Sequence, residues 1–168
     1  VEGNRFSLGE HSGEKTYRVQ ALSATLVNAG FRAPIRPRIR DELWLKLWGN
    51  LSFNPISALT GSTLEEMCTA PDTRALIRAM ILEAQAVGEK IGVNFPLDVD
   101  KRIEGGKSVG AHKTSMLQDL ERGRFMEIDA LVSAVAEMGT LTDTPTPTID
   151  AILALVKMRG RLAGCYDG

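Results

Sequence analysis

Trp44-Leu45-Lys46-Leu47-Trp48-Gly49-Asn50-Leu51-Ser52-Phe53-Asn54-Pro55 is the stretch on which the reading of this chain turns. At 3.6 residues per turn, Trp44, Trp48 and Leu51 fall on one face. Lys46, Asn50 and Asn54 fall on the other, and Ser57 continues their row. The tryptophan face reads as core. The polar face admits two readings. It is either a solvent-facing row on an amphipathic helix, or a set of donors and acceptors for a polar ligand, because a lysine and two asparagines in a dry place need partners. Pro55 lacks an N–H and clashes with the carbonyl of Leu51, so the helix, expected from Asp41 to about Leu59, should kink or end there.

Outward from this segment the pattern stays helical. Thr16 to Asn28 carries Val19, Leu22 and Leu26 at helical spacing and stops at Gly30. Phe31 to Pro37 is extended, because two prolines restrict the residues before them. After Gly61, Ser62 is placed to cap a short helix through Glu65. Pro71 opens a long helix to about Ile91, and a shorter one runs from Leu97 to Ile103 into a flexible loop, Gly105 to Gly110. Ser115 to Glu121, Ile128 to Met138 and Thr148 to Leu162 complete the set. Only Asn4 to Glu10 alternates like a strand, to be used in a hairpin, at an edge, or as the tail of a further sheet. The expected fold class is all-α.

The chain's 168 residues suit one domain with a single core. Lys and Arg number 20 against 21 Asp and Glu, a net charge of −1, so no global field draws nucleic acid or an anionic membrane to it. Arg32, Arg36, Arg38 and Arg40, broken by Pro34 and Pro37, read as a solvated connector. Two distant cysteines form no disulfide framework, and a cytoplasmic location is the default. His11 and His112 lack ligand spacing, so no metal site is expected. No apolar run approaches the roughly 20 residues that cross a bilayer. Gly106-Lys107-Ser108 looks like the end of a phosphate-binding loop, but Lys101 stands where that motif needs glycine, and G-x-G-x-x-G is absent. These residues alone are not expected to build a nucleotide site.

A second cluster follows. Ser115-x-x-Gln118 is a capping-box pattern, which either merely starts a helix or also presents free N–H groups to a carboxylate. Phe125-Met126-Glu127-Ile128-Asp129 precedes the next helix, where acidic residues are ordinary.

Taken in order, Trp44-x-Lys46-Leu47-x-x-Asn50-x-x-x-Asn54-Pro55-x-x-Ala58-Leu59, Ser115-Met116-Leu117-Gln118-Asp119, Glu127-Ile128-Asp129 and Pro145-Thr146-Pro147-Thr148 resemble the ketopantoate reductase (2-dehydropantoate 2-reductase) family over nearly the whole chain. The resemblance implies a helical C-terminal domain like that of 6-phosphogluconate dehydrogenase, covering residues 13–168. Residues 1–12 would be a remnant of the last strand of an N-terminal Rossmann domain that binds NADPH. It implies reduction of a 2-keto acid, ketopantoate to D-pantoate, on the route to pantothenate, with this fragment inactive by itself. By motif position, Lys46 matches the catalytic lysine. Asn50, Asn54 and Ser115 match substrate-binding residues, and Glu127 matches a catalytic glutamate near substrate and nicotinamide. The expected partners are the keto acid and the Rossmann half, with a homodimer left open. Two alternatives stand beside this: a paralogous reductase of another 2-keto acid, and a non-catalytic helical dimerisation module.

Overall fold

The computed structural model of the chain describes residues 3–168, which form two compact units divided between Trp44 and Leu45. In the first unit, Arg5 bridges Arg32 and Leu8 bridges Ile35, both in parallel. Phe6 and Leu8 donate to the carbonyls of Arg32 and Pro34 at 2.7 and 3.0 Å, and Arg32 and Arg36 donate to those of Asn4 and Leu8, each at 2.7 Å. Helix α1 (Tyr17–Asn28) makes the crossover that parallel pairing requires. Thr16 caps it by accepting from the Val19 N–H, and Gly30, at φ 88°, leaves it in the left-handed conformation. The alternating segment is therefore not half of a hairpin. Pro34 and Pro37 remove N–H donors from its partner, and among the described residues pairing stops at isolated bridges. The connector arginines are partly neutralised: Arg36 pairs with Glu42 at 2.5 Å and Arg38 with Asp41 at 2.6 Å, both acids in the first turn of the next helix.

That helix, α2, spans Ile39–Thr60 with Pro55 inside it. The expected break at Pro55 does not end it. Leu51, Phe53, Ile56 and Ala58 are all buried around the proline, and their packing outweighs one lost backbone bond. The second unit continues with α3 (Leu64–Thr69), α4 (Pro71–Lys90), α5 (Val99–Lys107), α6 (Ser115–Glu121), α7 (Ala134–Leu141) and α8 (Pro147–Leu162). Helix α4 is its axis and packs against α3, α5, α7 and α8. Its Ile77, Met80, Ile81, Ala84 and Val87 are each fully buried. Trp48 of α2 is also fully buried, with its indole N–H donating to the Ile81 carbonyl at 2.6 Å and its ring 4.9 Å from that of Phe95.

Three expectations are corrected. The cap of α3 is Thr63 with Glu66, a reciprocal capping box one residue beyond Ser62 and Glu65, because the Ser62 carbonyl is taken by the Ser57 hydroxyl at 2.7 Å. Helix α5 continues through Gly105, Gly106 and Lys107, where a loop was expected. The reason is contact: a Cβ on Gly106 would stand 2.8 Å from the Phe53 ring, so the glycine lets α5 lie against α2. The helix expected over Ile128 to Met138 opens with a π-helical turn, Asp129–Ser133, in which the Ala134 N–H reaches back to the Asp129 carbonyl.

The N-terminus of α8 has no side-chain cap of its own. Glu83 of α4 supplies one: its carboxylate accepts from the backbone N–H groups of Thr148 (2.9 and 3.1 Å) and Ile149 (2.9 Å). Replacing Glu83 with alanine strands these donors, and we expect a loss of about 1–3 kcal/mol of stability. Urea denaturation of the variant measures it. An unchanged midpoint would mean that solvent satisfies the α8 terminus equally well.

Candidate functional site

The polar row on α2 is graded in exposure. Lys46 is exposed, Asn50 half-buried, and Asn54 buried at 5% of its possible surface. Among the described residues Lys46 makes no ion pair, and the side-chain nitrogen of Asn54 is buried without any hydrogen-bond acceptor. A buried amide donor left open costs free energy in the absence of a ligand. Ser57 does not belong to the row's free end, because its buried hydroxyl is spent on Ser62.

One turn beyond Asn54, Ala58 enters a core cluster with Met116, Met126, Ile128, Val156, Cys165 and Tyr166. This packing brings the second sequence cluster to the end of the α2 row. Met116 follows Ser115, and Met126 and Ile128 flank Glu127. The buried methionine and isoleucine leave Glu127, between them in a tight turn where the Ile128 N–H donates to the Met126 carbonyl at 2.8 Å, exposed and without an ion pair among the described residues. Ser115 is likewise exposed. The expectation that Ser115 caps α6 is corrected. Thr114 is the cap, accepting from the Leu117 N–H at 3.3 Å, and Gln118 turns back to donate to the Lys113 carbonyl at 2.9 Å. The Ser115 hydroxyl is thereby released from structural duty.

Two features escaped the sequence reading. The first is a network on Asp129, two residues after Glu127. Its carboxylate accepts from the Ser133 hydroxyl at 2.5 Å and the Tyr166 hydroxyl at 3.0 Å, and pairs with Lys157 at 3.2 Å. Lys157 and Arg161 each lie 5.5 Å from the centre of the Tyr166 ring. The second is Arg102 on α5. Its guanidinium lies 5.4 Å from the Phe53 ring centre and occupies the space that a Cβ on Gly49 would fill, only 1.8 Å from one terminal nitrogen. Burial lowers its pKa from the ordinary arginine value. Gly49 in the middle of a helix was the one signal for it, since glycine there is unfavourable unless something approaches closely. Among the described residues no group of His, Cys, Asp and Glu is placed to hold a metal ion, and no helix is long and apolar enough to cross a membrane.

The described residues form a mainly helical domain that presents a graded polar helix face, the class of helical C-terminal domain to which the matching family model belongs. More particularly, the chain belongs to the family described as Ketopantoate reductase PanE/ApbA C terminal, which matches residues 38–160. It is 66% identical to a 2-dehydropantoate 2-reductase of Mesorhizobium japonicum over 99% of this chain and 51% of that protein. It thus spans about half the length of the curated relatives it matches. A solved structure from Ralstonia solanacearum MolK2, reported as a candidate ketopantoate reductase, superposes with a TM-score of 0.92 at 37% identity, over 99% of this chain and 50% of that one. D-mandelate dehydrogenase, solved with NADH and anilino(oxo)acetate, shares the fold at a TM-score of 0.82 and 22% identity, over 95% of this chain and 67% of that one. The names of the family and of these relatives are those of reductases.

Hydrogen bonds from Ser133, Lys157 and Tyr166 hold the Asp129 carboxylate below its ordinary pKa. A depressed carboxylate stabilises the fold above its unfolded pKa, about 3.9, and loses that contribution as pH falls through the lower folded value. We therefore expect the stability difference between wild type and Asp129→Asn to be constant at neutral pH and to shrink below about pH 4. Melting temperatures of both proteins across pH 2.5–7 (on the order of eight points, spaced about the carboxylate range) check this. A difference that persists unchanged at the acid end would show that the carboxylate's charge is irrelevant.

Proposed function

We propose that this chain is the substrate-binding and catalytic-lysine half of an NADPH-dependent reductase that converts 2-dehydropantoate to D-pantoate. On this reading Asn4 to Glu10 continues a nucleotide-binding half that lies outside these residues. The observation that carries the proposal is the α2 row: an exposed, unpaired lysine, a half-buried asparagine, and a buried asparagine whose amide nitrogen has no partner. Packing leads this row to the segments bearing Ser115 and Glu127.

The residues of this chain fit the reacting end of a dinucleotide better than its phosphates. Glu127 offers a free carboxylate, whereas Gly106-Lys107-Ser108 lies at the end of α5 and not in a phosphate-cradling loop. A bound reduced nicotinamide would supply a hydride to the ketone carbon. Negative charge then grows on the ketone oxygen. The Lys46 ammonium, not tied to any carboxylate, is free to meet that oxygen, stabilise the alkoxide and give it a proton. Asn54 donates from a dry position, so its hydrogen bond to the substrate is made at little solvent competition. Asn50 and Ser115 can both donate and accept, which suits a molecule carrying hydroxyl, ketone and carboxylate. Glu127 orients Lys46 or a substrate hydroxyl once both halves enclose the reactants.

In the full-length enzyme, Lys46→Ala should lower kcat by about a hundred- to ten-thousand-fold while NADPH affinity shifts little. Asn50→Ala should mainly raise KM, because it removes binding shared by ground and transition states. Steady-state kinetics with a panel of 2-keto acids, NADPH titration and melting curves provide the test. A folded Lys46→Ala enzyme with near wild-type kcat sinks the assignment of α2. Turnover of another keto acid in place of 2-dehydropantoate would redirect the substrate.

A further inference from the structure

Helix α5 sorts its charges by face. Asp100 and Glu104 turn toward α4, where Arg74 pairs with them at 3.4 and 2.7 Å and Arg78 meets Asp100 at 3.4 Å. Arg102 turns the other way, toward α2. There it finds a glycine and a phenyl ring but, among the described residues, no acceptor for its N–H groups. Its Nε is buried and unpaired. An arginine keeps its proton at any physiological pH, so this is a permanent, partly desolvated cation without an anion. Such an arrangement disfavours the folded protein unless a counter-charge arrives.

The neighbours fix where it would arrive. Gly49 adjoins Asn50 and Phe53 adjoins Asn54, so the guanidinium lies along α2 beside the polar row. The Phe53 ring centre lies 5.4 Å from the guanidinium carbon and the Nε is buried against Gly49, so the two terminal nitrogens, which have no hydrogen bond among the described residues, are the pair that can match two oxygens of a carboxylate or phosphate. The missing Cβ of Gly49 is what admits the fork.

We infer that Arg102 binds an oxyanion of the reactants, either the carboxylate of the 2-keto acid or a phosphate of the dinucleotide, through the terminal nitrogens of its guanidinium. The inference rests on the α2 row being the reactant site. It adds a specificity-determining residue whose partner is supplied by the ligand. It also explains why two features unfavourable for stability, a mid-helix glycine and an unpaired arginine, stand together.

The test uses the full-length enzyme and the variants Arg102→Met, Arg102→Lys and Gly49→Ala. Methionine keeps the apolar stem and removes the fork. Alanine at 49 improves helix propensity but displaces the guanidinium. NADPH is titrated onto the free enzyme, and 2-dehydropantoate onto the enzyme loaded with NADP⁺. Arg102→Met should melt at the wild-type temperature or higher and lose about ten- to a hundredfold in affinity for one of the two ligands. Arg102→Lys should recover only part of that affinity, and Gly49→Ala should weaken the same ligand despite its stable helix. Loss of 2-dehydropantoate binding identifies the carboxylate, and loss of NADPH binding identifies a phosphate. Unchanged affinity for both ligands in folded Arg102→Met overturns the inference, as does full affinity in Gly49→Ala should the methionine variant fail to fold. Lys46→Ala, assayed alongside, separates the two readings. If it keeps wild-type kcat, the α2 site itself is wrong. If it is inactive while the Arg102 variants bind normally, only the present inference fails.

Discussion

The rotation of α2 about its own axis is the constraint on which the rest of this domain depends, and Trp48 sets it. A wholly buried indole has one polar atom and must satisfy it. Here the N–H finds the Ile81 carbonyl on the central helix, at 2.6 Å. Any turn of α2 would break that bond and expel the largest side chain in the core. With Trp48 fixed, a helix of this pitch has no choice about where Lys46, Asn50 and Asn54 stand. The core therefore orients the polar row, and the row needs no hydrogen bonds of its own to hold its direction.

The helical class was legible because amphipathic periodicity over long segments is a strong signal, and the α2 row followed from spacing alone. What could not be read from spacing was depth. Lys46, Asn50 and Asn54 look equivalent in sequence, yet they run from exposed to buried, because depth depends on which elements close over each turn. Ends were also misplaced where a distant residue decided them. Ser57 took the Ser62 carbonyl and moved a cap to Thr63, Phe53 admitted Gly106 and lengthened α5, and buried neighbours carried α2 through Pro55. Arg102 left a single trace, the mid-helix Gly49 that makes room for it, and that trace does not say which residue fills the room.

Buried polar groups in this domain fall into two kinds. Those that build the fold are closed: Glu83 satisfies the start of α8, and Ser57 satisfies Ser62. Beside the α2 row the amide of Asn54 and the Nε of Arg102 are open; the Nε of Arg36, in the first unit, also lacks a well-directed hydrogen bond but lies 2.5 Å from the Glu42 carboxylate. Two open groups along one helix, with no carboxylate at hand for either among the described residues, place a cost where a ligand could relieve it.

The π-helical turn at Asp129–Ser133 has a consequence for how this domain can change in length. A π turn is an α-helix with one residue too many, kept because the surroundings accept the resulting bulge. Here Ser133 and Asp129 clasp one another across it, and Tyr166 and Lys157 hold it from α8 and the segment beyond. Deleting a single residue from the turn would restore regular α-helix and leave the downstream phase nearly unchanged, because the wider turn spreads one extra residue over about the same rotation. Val135 and Gly139, now buried, would keep facing the core, and the loss would fall on the contacts around Asp129. The segment after Glu127 is therefore a place where the helix itself can lose one residue without turning the residues beyond it, and what such a shortening would give up is the clasp of Asp129 by Ser133, Tyr166 and Lys157.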